Sequence, residues 1–152
     1  MKLIALSIVF LSLVSCVGSR DALVVKQFLL RDQQRDGGVE PMVRMEKERR
    51  LRGAVSMEER RQRLGQYYTL IWNDPKGVKQ APVEVTFEYL QGGSGSRVKT
   101  KKKSFPASAS QGRVEFSIIG DDYFDQGKVL AWRATVRRGD RMVARERSYL
   151  WE

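Results

Sequence analysis

The side chains able to do chemistry in this chain are few. There is one cysteine, Cys16, and no histidine. Without histidine, the usual acid/base group at neutral pH and the commonest metal ligand are both missing. A single thiol forms neither an intramolecular disulfide nor a thiolate metal cluster. The closest approach to a carboxylate pair is Asp121-Asp122-Tyr123-Phe124-Asp125. Neighbours on one turn rarely converge on one substrate. A calcium loop of the EF-hand kind would need alternating oxygen donors and a glutamate at the twelfth position, where Trp132 stands. The segment therefore reads as an acidic turn ahead of a strand. No catalytic residue, metal site or cofactor is assigned. A hydrolase on a β-scaffold, built on a serine or aspartate site, is the reading that the missing histidine disfavours.

Positive charge is what the chain has in quantity: Lys and Arg number 28 against 18 Asp and Glu, a formal net charge of +10. Such an excess draws anionic surfaces and polymers at low salt, and says nothing about fold. Arg44, Lys47, Arg49, Arg50, Arg52, Arg60, Arg61 and Arg63 form one cluster of candidate contacts to lipid headgroups or an envelope polymer. Glu46, Glu48, Glu58 and Glu59 are interleaved with them, so a solvated helix face with internal pairing is the plainer reading. Lys99, Lys101, Lys102 and Lys103 place charge on both faces of a strand. That pattern protects a sheet edge from unwanted pairing, and leaves Lys99, Lys101 and Lys103 as further candidate contacts to an anionic polymer. Arg138-Gly139-Asp140 spells an integrin-binding tripeptide, but Gly-Asp is also what a two-residue hairpin turn asks for, and the turn is preferred. Gly92-Gly93-Ser94-Gly95-Ser96 does not precede a helix and so makes a poor phosphate loop.

The amino terminus reads as an address. Met1-Lys2 is a short positive region, and Leu3 to Val14 is apolar apart from Ser7 and Ser12. Twelve residues are too few to span a bilayer comfortably, which favours a signal peptide over a retained helix. The segment closes on Leu13-Val14-Ser15-Cys16, which resembles the lipobox of bacterial lipoproteins. The resemblance covers only these first sixteen residues. It implies cleavage before Cys16, diacylation of its sulfur and membrane attachment through an N-terminal lipid. It also implies, through Val17 in place of an inner-membrane retention Asp, outer-membrane sorting. Residues 1–15 would then be the signal peptide and residues 16–21 a lipidated tether. The five residues from Val17 to Asp21 reach about 17 Å when extended. An exported chain rarely meets nucleic acid, which makes that partner the least favoured.

The remaining residues, 22–152, must supply the domain that positions these groups. Ala22 to Leu30 is β-branched and apolar, a first strand. Pro41 suits the first turn of a helix running to Leu51, on which Met42 and Met45 share a weak apolar face with Arg49. Ser56-Met57-Glu58-Glu59 has capping-box spacing and Gly65 is a natural stop, giving a second short helix over about 57–64. From there the period is two. Tyr67–Trp72, Val83–Tyr89, Val98–Lys103, Arg113–Ile119, Val129–Arg138 and Met142–Trp151 read as strands. With Gly139-Asp140 as the turn and Arg138 facing Arg141, Arg133 falls opposite Glu146 and Trp132 opposite Arg147. Trp72, Trp132 and Trp151 read as core or sheet-face aromatics.

About seven strands separated by turns predict a mainly β fold, an antiparallel β-sandwich with a short helical insertion at about 41–64, after the first strand. The pattern resembles immunoglobulin-like or fibronectin-type domains, without the cysteine pair of true immunoglobulins. The expected function is that of a noncatalytic, membrane-anchored envelope lipoprotein, a structural or interaction module. Its partner would be an anionic lipid, an envelope polymer or a protein. The alternative is an accessory subunit of a secretion or envelope-assembly complex, docked through the 41–64 insertion.

Overall fold

The computed structural model describes residues 21–31, 40–77 and 81–151. Cys16, the signal-like segment, tether residues 17–20 and the polar stretch Gln33–Gly38 lie outside the described residues. Two antiparallel sheets make the fold. The first is three-stranded, in the order β1 (Leu23–Leu30), β2 (Gly65–Asn73), β5 (Gln111–Ile119). The second is four-stranded, in the order β4 (Lys99–Phe105), β3 (Val83–Gln91), β6 (Val129–Arg138), β7 (Arg141–Arg147). This is the expected antiparallel β-sandwich, with seven strands in two sheets among the described residues.

Alternation places one face of each strand inside. Val83, Val85, Phe87 and Tyr89 of β3 meet Tyr68, Leu70 and Trp72 of β2, Phe116 and Ile118 of β5, and Trp132, Ala134 and Val136 of β6. Trp72 fits because its cross-strand partner is Gly112: a Cβ there would stand 2.6 Å from the indole Nε1.

Three helices fill the connections: α1 (Pro41–Leu51), α2 (Met57–Arg61) and α3 (Asp121–Gln126). The capping box is formed as expected, with Ser56 Oγ accepting from the Glu59 amide and the Glu59 carboxylate accepting from the Ser56 amide. The second helix stops at Arg61 rather than near 64. Leu64 is instead drawn into a small cluster with Leu30 and Tyr67, and Gly65, at φ +141°, begins β2. The acidic segment at 121–125 is a helix and not a turn. Asp121 and Asp122 occupy its first turn, where backbone N–H groups and the helix dipole favour carboxylates, and Tyr123 packs against the core.

The hairpin forms at Gly139, φ +53°, with Arg138 opposite Arg141. The charge pairing expected further along does not follow. A bulge between Val136 and Arg137 shifts the register, so that Arg133 faces Arg147 and Ala134 faces Glu146. Arg133 pairs across the other side of its strand, bidentate to Glu88 at 2.7 and 2.9 Å, and lies 5.0 Å from the ring of Trp151.

Candidate functional site

The helical insertion, α1 and α2, lies outside the two sheets. It is attached in an unusual way. None of the residues of α1 is fully buried, and the methionine face is turned outward, with Met42 71% and Met45 64% exposed. The helix is held through Arg50, whose side chain is 5% exposed. Its guanidinium forks onto Glu115 of β5 at 3.0 and 2.7 Å, lies 2.7 Å from Glu46 and sits 3.7 Å above the ring of Tyr67. Glu115 accepts a further hydrogen bond from Thr69 Oγ1. Leu51 adds an apolar contact to the cluster of Leu30, Leu64 and Tyr67. The insertion therefore lies on the outer face of the three-stranded sheet, near the end where β1 stops and β2 begins.

This arrangement sorts the basic residues predicted from sequence. Arg49 pairs with Glu46, and Arg50 with Glu46 and Glu115. Arg61 reaches Asp121 and lies 4.4 Å from the ring of Phe124. Arg63 donates to the carbonyls of Arg50 and Arg52, and so closes the α1–α2 connection. Arg44, Lys47, Arg52 and Arg60 lie on a common concave surface. Together with Glu48 and Leu51 they line an open cleft of about 320 Å³ between the two helices. Arg60 sends its Nε to the Ala54 carbonyl at 3.4 Å.

The lysines of β4 lie apart from this cleft. β4 is an edge strand. Lys99 bridges to Asp122 and the Gln91 side chain, each at 2.7 Å, and Lys101 donates to the Ser117 carbonyl on β5 at 2.6 Å. Lys101 thus joins the margins of the two sheets, while Lys99 ties β4 to the end of β3 and to α3. Lys103 is exposed opposite Val85.

At the other end of the sandwich is a constellation with no local sequence signature. Arg138 is 2% exposed and pairs with Asp74 at 2.7 Å, while donating to the carbonyls of Ala81, Ala107 and Ala109. Arg141 shares Asp74 at 2.6 Å. With its arginine buried, the Arg138-Gly139-Asp140 tripeptide offers no displayed cation to a receptor.

The perturbed titratable groups are all explained by these contacts. The Arg49 hydrogen bond, opposed by partial burial and helped by Arg50, holds Glu46 at about 2. Burial raises Glu115 and Asp74, but the guanidiniums beside each outweigh it and both end below the usual range. Burial pushes Tyr68 up to about 12, and Tyr89 likewise with help from Asp122. Among the described residues, no group of three His, Cys, Asp or Glu side chains could hold a metal ion. No described helix is long and apolar enough to cross a membrane.

A pH dependence follows for the docking of α1. The Glu46 and Glu115 carboxylates are more acidic in the folded protein than when free, so their stabilisation is present above about pH 4.5 and lost as pH falls towards 2. Amide exchange of α1 should accelerate across that window before the strands of the core lose protection. Unchanged protection of α1 down to pH 3 would mean that Leu51, not the ion pairs, holds the helix.

No protein-family model matches the chain, and comparison with curated proteins and with solved structures finds no match. The functional reading therefore rests on this chain's own residues.

Proposed function

We propose that this chain is a noncatalytic, lipid-anchored interaction module of the bacterial cell envelope, carried on the outer membrane. The observation that carries the reading is the sequence Leu13-Val14-Ser15-Cys16 at the end of a short apolar segment, using the one cysteine the chain has. The chemistry of the domain is in keeping with it. Among the described residues, the carboxylates with altered acidity are Glu46, Glu59, Asp74 and Glu115, and each is engaged by arginines or by helix-capping amides. A general acid or base would need a group poised near the working pH and open to a substrate.

The geometry gives the module two ends. Asp21, last residue of the tether, precedes β1, and the insertion follows β1. Eight residues of strand separate these ends by about 26 Å. With a short tether, the Asp21 end would sit near the lipid, and α2 would stand at the far end.

The accessory-subunit reading is favoured by one observation. Met42, Met45, Val55 and Met57 expose between 64% and 87% of their surface on the insertion. Exposed methionines are adaptable contacts for a protein partner.

Replacing Cys16 tests the anchor. Cys16→Ser should move the protein from the membrane fraction to the soluble fraction almost completely, because acyl chains supply the attachment. The mature wild-type protein should carry a diacylglyceryl increment in mass. A mature mass without that increment, or a serine variant still retained in membranes, would overturn the anchored reading.

A further inference from the structure

We propose that the cleft between α1 and α2 binds a phosphate group of an anionic envelope polymer lying beyond the anchoring membrane. Four cationic side chains, Arg44, Lys47, Arg52 and Arg60, line this cleft with one carboxylate, Glu48. The other arginines of the insertion, Arg49, Arg50, Arg61 and Arg63, are committed to carboxylates or carbonyls of the domain. No hydrogen bond or ion pair among the described residues claims the side chains of Arg44 or Arg52, and both residues are exposed.

Three features fix the chemistry. The guanidinium is a planar fork that matches phosphate oxygens two at a time, and three of the four cations are arginines. The cleft is concave, and Leu51 offers an apolar wall to the carbon skeleton bearing the phosphate. Its rigidity is supplied from below, since Arg63 ties the ends of the two helices together and Arg50 holds α1 on the sheet.

The choice of polymer over headgroup comes from placement. α2 stands at the end of the sandwich opposite Asp21, which would hold the Arg60 side of the cleft away from the leaflet that a lipid on Cys16 would enter. α1 also lacks a continuous apolar face for lying in a bilayer, because the face that carries Met42 and Met45 continues into Arg49 one turn further on. The placement rests on the anchored reading given above. The cationic composition of the cleft does not.

The test uses the mature protein purified in neutral detergent from expressing bacteria, titrated with poly(glycerol phosphate), with polyglutamate and with phosphatidylglycerol vesicles. Saturable binding to the phosphate polymer is expected, with log K falling linearly in log salt. The combined variant Arg44→Ala, Arg52→Ala, Arg60→Ala should bind roughly tenfold or more weakly and lose about one unit of salt slope per phosphate contact removed. Near-UV circular dichroism should stay unchanged, since the substituted side chains are exposed. A control losing the same charge elsewhere, Lys26→Ala, Arg113→Ala, Arg145→Ala, should change affinity less than about threefold if the cleft rather than net charge is read. Equal loss in both variants would reduce the effect to net charge and overturn the proposal. Equal affinity for polyglutamate would replace the phosphate by an acidic peptide, and cleft-dependent binding to the vesicles alone would replace the polymer by the leaflet. The mass of the same preparation reports lipidation separately, so a cleft that binds polymer on an unlipidated chain would fail the anchor and keep the site.

Discussion

Arg138→Ala should lower stability by about 3–5 kcal/mol, the usual cost of removing one partner from a buried ion pair. The side chain is 1% exposed and its partner Asp74 5%. Its donors serve the Asp74 carboxylate and three carbonyls, of Ala81, Ala107 and Ala109. Those acceptors belong to the β2–β3 and β4–β5 connections, so one guanidinium from the β6–β7 hairpin holds three loops together. Truncation leaves the carbonyls without their donors, and each buried polar group left unpaired adds its own cost. Arg141 keeps one contact to Asp74, which limits the loss. Arg138→Lys should fall between wild type and alanine, because an ammonium preserves the charge but cannot reach a carboxylate and three carbonyls in a planar fork. Equilibrium denaturation of the three proteins checks this. A loss under 1 kcal/mol for the alanine variant would mean that the loops are held by their backbone contacts, such as the Asp74 amide to the Ser110 carbonyl.

The contrast between what could and could not be read from the chain has a physical basis. Val83-Glu84-Val85-Thr86-Phe87-Glu88-Tyr89 announces a strand with one buried face because side-chain direction in a strand has a period of two, and this strand is buried on that period. Pro41 and the Ser56–Glu59 box announce helix starts for equally local reasons. The positions that organise the insertion and the loops depend on partners far along the chain. Arg50 looks like one of eight basic residues in a polar segment, and its role is set by Glu115, 65 residues away. Arg138 looks like a turn-flanking surface residue, and its role is set by Asp74, 64 residues away. The hairpin register failed for a smaller reason. A bulge opposite Val136 and Arg137 leaves Val143 as an extra residue on the facing strand, and nothing in the local alternation marks it. Of the basic cluster, composition alone could show only that eight cations were close in sequence. Which of them line the α1–α2 cleft depends on which carboxylates the folded sheet brings to the others.

Phe87→Ala should be about as damaging as the loss of Arg138, at roughly 3–5 kcal/mol for truncating a buried phenylalanine. Phe87 is fully buried in the middle of β3. Its ring lies 4.7 Å from Tyr68, 5.6 Å from Phe116, 5.7 Å from Tyr89 and 6.1 Å from Trp132. Tyr68 and Phe116 belong to the three-stranded sheet, and Tyr89 and Trp132 to the four-stranded one, so the ring joins the layers. For a domain of this size the loss corresponds to a fall in Tm of roughly 10–20 °C. Phe87→Leu keeps most of the volume and should cost less than half as much. The damage should not reach the insertion, because α1 and α2 pack on the opposite face of the three-stranded sheet. Below its Tm the alanine variant should therefore bind poly(glycerol phosphate) as the wild type does, while Arg44→Ala, Arg52→Ala, Arg60→Ala should do the reverse, keeping Tm and losing affinity. If Phe87→Ala weakened polymer binding while its strands kept their amide protection, the cleft would be coupled to the core through β2. Arg50, resting on Tyr67 beside the core residue Tyr68, would be the residue to examine for that coupling.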